Sequence, residues 1–120
     1  MRARKLRDSG QADAAANEFM ISINLRPNEP DAYIELANLY IKEGRTDDGV
    51  AQLQQALVAE PGNPTALSTL AFHAITTGNE ADARRWLVRV GRQPRVAPDV
   101  AVRLASAYRE TFGHDYVPAP

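Results

Sequence analysis

Residues 31–64, DAYIELANLYIKEGRTDDGVAQLQQALVAEPGNP, contain two amphipathic helical patterns separated by a glycine. Apolar residues in the first half recur at i, i+3, i+4 and i+7, which is the spacing of one helix face. They are Tyr33, Leu36, Ala37 and Tyr40. Gly44 is suited to end that helix in a left-handed conformation. The second half has an apolar face of its own, and Pro61 interrupts it. The stretch therefore predicts two helices joined by a tight turn.

The same pattern recurs along the chain at a spacing of 34 residues. The recurring sets are Pro30, Pro64 and Pro98; Gly10, Gly44 and Gly78; Leu36, Leu70 and Leu104; and Phe19, Leu53 and Leu87. So many coincidences at one spacing indicate an internal repeat built from a pair of helices. Because no segment of useful length alternates as a strand would, the fold class is predicted as all-α.

The repeat resembles the tetratricopeptide repeat. The second copy has an aromatic residue at Tyr33, a small residue at Ala37 and a proline at Pro61, at the spacing of that family. The third copy departs from it, with Leu67 in place of the aromatic residue. The resemblance covers residues 1 to about 113. It implies a right-handed superhelix of antiparallel helix pairs, whose concave groove is lined mainly by the first helix of each repeat.

The domain organisation follows from this register. Residues 1–113 are predicted to form a single tetratricopeptide-like domain, and residues 114–120 a flexible tail without periodicity. The domain comprises a truncated first repeat (1–29), a second repeat (30–63), a third repeat (64–97) and a capping helix (98–113). The first repeat has Gly10 at its turn and begins within its first helix, which indicates a fragment of a longer protein.

The composition is that of an ordinary globular domain. The 120 residues are 44% hydrophobic and 24% charged, and none is cysteine, which excludes disulfides and thiolate metal sites. No apolar run approaches the roughly 20 residues of a transmembrane helix. No apolar stretch follows the basic start, so a secretory signal is not predicted either. The cellular compartment is left undetermined by these features.

The net charge of -1 hides an uneven distribution. Residues 1–7 carry four basic side chains and residues 8–83 carry twelve acids against three bases, whereas residues 84–112 carry seven arginines against two acids. The middle of the chain is therefore expected to attract cationic surfaces, and the last third anionic ones.

No motif of a known catalytic chemistry is present in the sequence. There is no glycine-rich phosphate loop and no nucleophile elbow. The two histidines, His73 and His114, are too few for a metal site, so His73 is interpreted as a packing residue and His114 as solvated. Asp47 and Asp48 are interpreted as acids at a helix N-terminus rather than as a general acid–base pair. The chain is predicted to be a non-enzyme without metal or cofactor.

The candidate partner-binding surface is the groove that the resemblance implies. Its residues share the side of the first helices that faces away from the apolar core face. They are Ile34, Asn38, Ile41, Lys42, Ser68, Phe72, Ile75, Val102 and Arg109. Because several of them form an apolar stripe around Phe72, we predict that a protein binds there through a peptide or an amphipathic helix. The alternative is that these residues pack against one another or against neighbouring repeats.

A second candidate surface is a cluster of arginines in the last third of the chain. Its members are Arg84, Arg85, Arg89, Arg92 and Arg95. The cluster is interpreted first as a solvated face and second as a docking surface for an acidic partner. Because no aromatic residues alternate with these arginines and the middle of the chain is acidic, nucleic acid is disfavoured as a partner.

The predicted function is a non-catalytic protein–protein interaction scaffold that is part of a longer repeat protein. One alternative is self-assembly, in which apolar faces near Leu6 and Phe19 pair two chains or stack on another repeat. The other is a targeting or regulatory module of a larger enzyme.

Three further residues carry structural predictions. Trp86 is predicted to pack against the capping helix, and Gly49 and Gly91 are predicted to weaken their helices.

Overall fold

A computed structural model describes residues 2–118 of the chain, with side chains for residues 10–118. That part of the chain holds six helices and no strands, so the predicted all-α class is confirmed. The helices are α1 (Arg2–Leu25), α2 (Pro30–Lys42), α3 (Thr46–Ala59), α4 (Pro64–Thr76), α5 (Glu80–Gly91) and α6 (Pro98–Phe112).

Local sequence explains where most of these helices begin and end. Prolines occupy the first turn of α2, α4 and α6, where a backbone N–H is not needed. Asn63 caps α4 by accepting a hydrogen bond from the Ala66 backbone N–H at 2.9 Å. Gly44 and Gly78 follow α2 and α4 with φ of 83° and 76°, the left-handed conformation that the repeat pattern predicts.

The chain divides into two compact units, Met1–Pro61 and Gly62–Pro120. In the first unit α2 packs against both α1 and α3. In the second unit α4 packs against both α5 and α6. The buried apolar residues include Leu36, Tyr40, Leu53 and Leu57 in the first unit, and Leu67, Leu70, Leu87, Leu104 and Tyr108 in the second.

Helices α2 and α3 approach each other closely at Gly49. A Cβ atom added there would lie 2.6 Å from Ile41 Cγ1 and 2.9 Å from the Ala37 carbonyl oxygen. Gly49 is therefore a requirement of helix packing, and not only the weak point in α3 that the sequence predicted. Gly91 differs, because a Cβ there would meet no heavy atom of the described residues within 4 Å.

The first repeat differs from its predicted form. The 34-residue register places Gly10 at a turn equivalent to those at Gly44 and Gly78. Instead α1 runs without a break from Arg2 to Leu25, and Gly10 has no positive φ. A continuous helix keeps the backbone hydrogen bonds that a break would leave open.

The segment after α6 also differs from its prediction as a flexible tail. Arg84 Nη2 donates a hydrogen bond to the Val117 carbonyl oxygen at 3.3 Å, and the Tyr116 ring meets the Tyr108 ring edge-on, with centroids 5.6 Å apart. His114 Nε2 lies 3.0 Å from Glu80 Oε1. Residues 114–117 therefore contact α5 and α6, because their aromatic and polar groups find partners there. Residues 119 and 120 lie outside the described part.

Candidate functional site

Phe72 lies on the exposed side of α4. The opposite side of that helix is buried and consists of Ala66, Leu67, Leu70, Ala71, Ala74 and Ile75. Helix geometry of about 100° per residue places Phe72 near the middle of the remaining arc. Its side chain is 52% exposed. A large aromatic side chain in this position is the type of residue that anchors protein interfaces.

A pocket of about 330 Å³ opens beside Phe72, between α4 and α6. Ser68, Thr69 and Phe72 line it from α4. Val100, Arg103 and Leu104 line it from α6. The pocket combines three apolar side chains with two hydroxyl groups and one guanidinium. Such a composition suits an apolar side chain of a ligand that also offers hydrogen-bond acceptors.

Arg103 supplies the charge at this pocket. Its Nη2 donates a hydrogen bond to Asp99 Oδ2 at 2.8 Å, one helical turn earlier. This hydrogen bond holds the pKa of Asp99 below its usual value. Both side chains are well exposed, so the ion pair adds little stability, and a guanidinium has five N–H donors to share. Sequence analysis missed Arg103, although its spacing of three residues from Val100 places these two side chains on one face of α6.

The structure brings only two of the predicted groove residues, Ser68 and Phe72, into this pocket. Ile75 is 0% exposed and Ile34 is also buried, so neither belongs to an exposed apolar stripe. Ile75 follows the buried Leu67 by eight residues and the buried Ala71 by four, so the three side chains lie on one side of α4. On α2, Ile34 lies one turn before the buried Ala37. The predicted stripe is therefore not continuous at the surface.

Val102 and Arg109 lie on a different side of α6 from the pocket. Val102 follows Val100 by two residues, which turns its side chain through about 200° around the helix axis. Val102 is 64% exposed. Arg109 is exposed and its Nε lies 3.6 Å from Asp115 Oδ1. Neither residue shares a surface with Phe72, so their part in binding stays a prediction separate from the pocket.

Besides Ile34, three predicted groove residues belong to α2, in the first unit. Asn38 and Lys42 are exposed. Ile41 is half-buried, and its Cγ1 fills the space beside Gly49 on α3. Ile41 therefore has a packing role, and contact of these three residues with a partner stays a prediction. The predictions made for Leu6 and its neighbours fall outside the described side chains.

The predicted arginine cluster does not form a single face. Arg85 and Arg89 are exposed on α5, and Arg92 is exposed directly after its last residue, Gly91. Arg85 pairs with Asp82, and the Arg89 guanidinium lies 5.2 Å from the centroid of the half-buried Trp86 ring. Arg95 lies beyond α5, in the loop before α6.

Arg84 instead interacts within the chain. Its Nη1 donates to the Tyr108 hydroxyl at 3.5 Å, and its guanidinium lies 5.6 Å from the Tyr116 ring centroid. The hydrogen bond to Tyr108 raises the pKa of Arg84 above its usual value. This arginine therefore ties the segment after α6 to α5, which distinguishes it from the exposed arginines.

Among the described residues, no group of three or more histidine, cysteine or acidic side chains is placed to hold a metal ion. The helices between residues 2 and 118 include none with the length and apolarity needed to cross a membrane. His73 is half-buried near the end of α4.

Two sequence profiles of the tetratricopeptide repeat match the chain, one over residues 41–107 and the other over residues 1–64. The chain belongs to the tetratricopeptide repeat family. The resemblance seen in the 34-residue period is thereby confirmed. In this tetratricopeptide repeat protein, α4 and α6 take the place of first helices, so the pocket beside Phe72 lies between two first helices.

The tetratricopeptide repeat protein is similar to much longer curated proteins. The peroxisomal targeting signal receptors of Komagataella phaffii and Komagataella pastoris are each 28% identical to it over 118 residues. The match covers 94% of this chain and 19% of each receptor. Cellulose synthase operon protein C of Xanthomonas axonopodis pv. citri is 34% identical over 59 residues, which are 49% of this chain and 4% of that protein. The chain thus spans about a fifth of the receptors' length.

Proposed function

We propose that the chain is a non-catalytic protein-binding module, and that a peptide or amphipathic helix binds it at the pocket beside Phe72. The observation that carries this proposal is the exposed aromatic ring of Phe72 at an apolar pocket between α4 and α6. Exposed apolar groups beside a concavity commonly mark interaction sites. The first helices that form the pocket are the ones that line the groove in tetratricopeptide repeats.

The lining of the pocket determines the chemistry of the ligand. An apolar side chain placed between Phe72, Val100 and Leu104 is removed from water, which favours binding. The Arg103 guanidinium and the hydroxyl groups of Ser68 and Thr69 donate hydrogen bonds to acceptors around that side chain. A carboxylate is the best acceptor for an arginine. The best match is therefore a segment with one large apolar residue next to a carboxylate.

Similarity to known proteins supports the coarser part of this proposal. Membership of the tetratricopeptide repeat family supports interaction with other proteins. Two relatives are named as receptors for a targeting signal, which is a recognition function rather than a catalytic one. We extend to this chain only the recognition of a protein segment, since the chain corresponds to about a fifth of those receptors.

The Phe72→Glu variant is expected to lose at least about 30-fold in affinity for peptides selected on the wild-type chain, or about 2 kcal/mol. The substitution removes the aromatic anchor and places a carboxylate at an apolar pocket. Peptides are selected from a random display library, and fluorescence polarisation measures their dissociation constants.

Val58→Glu provides the matched control. Val58 is also an exposed apolar residue, but it lies on α3, in the first unit, and belongs to neither candidate surface. We expect this variant to change the affinity by less than about twofold. Far-ultraviolet circular dichroism should show wild-type helix content in both variants. Equal losses of affinity in the two variants, or a loss of helix in Phe72→Glu, would contradict the assignment of Phe72 as the anchor.

A further inference from the structure

A second pocket, of about 430 Å³, lies in the first unit between α1 and α2. Phe19 and Leu25 line it from α1, and Ala32 lines it from α2. Three carboxylates also line it, from Glu29, Asp31 and Glu35, against a single guanidinium, that of Arg26. Arg26 already pairs with Glu29 at 3.7 Å. The pocket therefore combines apolar side chains with an excess of negative charge.

The repeat register shows what the α1 side of this pocket is built to contact. Phe19 takes the repeat position of Leu53, and Ser22 takes that of Ala56. Leu53 and Ala56 are fully buried in the unit where α3 packs against a first helix, α2. Phe19 is only half-buried, and Ser22 is exposed. The face of α1 that would pack against a first helix is thus open to solvent.

The α2 side of the pocket leads to the same conclusion. Ala32 and Glu35 take the repeat positions of Val100 and Arg103. On α6 those two residues line the pocket shared with α4, which is the preceding first helix. Ala32 and Glu35 therefore lie on the side of α2 that faces a preceding first helix. Both walls of the pocket present surfaces that suit such a helix.

We propose that this pocket binds residues 2–9 of a second copy of the chain, in a reciprocal dimer. Ala3 and Leu6 take the repeat positions of Ala37 and Tyr40, which form the buried face of α2. The segment therefore has the apolar pattern of a first helix. It also carries four basic residues, Arg2, Arg4, Lys5 and Arg7, which complement the acidic lining of the pocket.

The continuity of α1 determines which copy supplies the segment. Because α1 does not turn at Gly10, residue 6 is about 20 Å along the helix from Phe19 of the same chain. A second α1 that runs antiparallel to the first brings residues 2–9 of each copy beside Phe19 of the other. The exchange is a domain swap with two-fold symmetry, and Gly10 lies where the unswapped repeat would turn. It does not depend on the pocket beside Phe72, which belongs to the other unit.

Charge reversal on either side of the contact is the first test. Sedimentation equilibrium of the 120-residue chain is expected to show a monomer–dimer equilibrium that weakens as salt increases. One variant, Arg4→Glu with Arg7→Glu, reverses charge on the segment. The other, Glu29→Lys with Glu35→Lys, reverses charge on the pocket. Each is expected to raise the dimer dissociation constant at least about tenfold, because like charges then face each other in both contacts.

An equimolar mixture of the two variants decides between exchange and other arrangements. In the mixed dimer both contacts again join opposite charges, so the dissociation constant should return to within about threefold of the wild-type value. A fold-back of residues 2–9 within one chain predicts monomers throughout and no effect of mixing. A monomeric wild type, variants that dimerise as wild type does, or a mixture without recovery would each overturn the proposal.

Discussion

Replacement of Tyr108 by alanine is expected to lower the free energy of unfolding by about 3–5 kcal/mol. Tyr108 is 0% exposed, and its ring centroid lies 4.7 Å from that of Phe112 and 5.6 Å from that of Tyr116. Its hydroxyl donates to Glu80 Oε1 at 3.1 Å. Alanine would leave a cavity between α6 and α5 and remove the aromatic partner of the segment after α6. Urea denaturation followed by circular dichroism measures the loss.

Tyr108→Phe separates the ring from the hydroxyl. This variant keeps the aromatic contacts and loses only the hydrogen bonds to Glu80 and Arg84. A typical hydrogen bond contributes about 1 kcal/mol, so the loss of these two is expected to cost about 1–2 kcal/mol. If Tyr108→Ala lay within 1 kcal/mol of wild type, or if both variants lost the same amount, burial of the ring would not be the dominant effect.

Gly49→Ala is expected to destabilise the chain by about 1–3 kcal/mol, although alanine is the better helix former by about 1 kcal/mol. The added Cβ would lie 2.9 Å from the Ala37 carbonyl oxygen and 2.6 Å from Ile41 Cγ1. A backbone oxygen within α2 cannot rotate away from the Cβ as the end of a side chain can. Relief of the contact therefore requires α2 and α3 to separate, which loosens the packing around Leu53. Denaturant unfolding of the variant measures the effect.

Gly10→Ala is the control for this second prediction. Gly10 lies inside α1, and a Cβ there would meet no heavy atom within 4 Å among the described residues. Helix propensity then acts alone, and the variant should be more stable than wild type by up to about 1 kcal/mol. The two substitutions are chemically identical, so opposite signs are expected from packing alone. A stabilised Gly49→Ala would show that the close approach of α2 and α3 does not constrain this position.

The ends of α2, α4 and α6 could be predicted because their causes are local. A proline in the first turn and a glycine just past the last turn act through their own φ angles. Gly10 has the same residue type as Gly44 and a different conformation. Whether a helix turns at such a glycine depends on what packs against the helical segments before and after it, and that packing is not a local property. The unbroken α1 could therefore not be predicted from the repeat.

The candidate site was predictable to a similar degree. The exposure of Phe72 follows from its place opposite the buried side of α4, which the periodicity defines. Ile34 and Ile75 lie at the edge of the buried face, and the extent of that edge depends on how far neighbouring helices cover it. Arg103 joins the site only because α6 packs beside α4. Contacts between separate helices set these features, and periodicity within one helix does not report them.

Trp86 gives the second unit a fluorescence signal of its own. It is the single tryptophan of the sequence and lies on α5, beside the Arg89 guanidinium. Tryptophan fluorescence therefore reports the surroundings of α5, whereas circular dichroism reports all helices together. Coincident denaturation curves from the two signals would mean that the chain unfolds in one cooperative transition. Separate curves would mean that the two units unfold in succession, as short repeat arrays with weak coupling do.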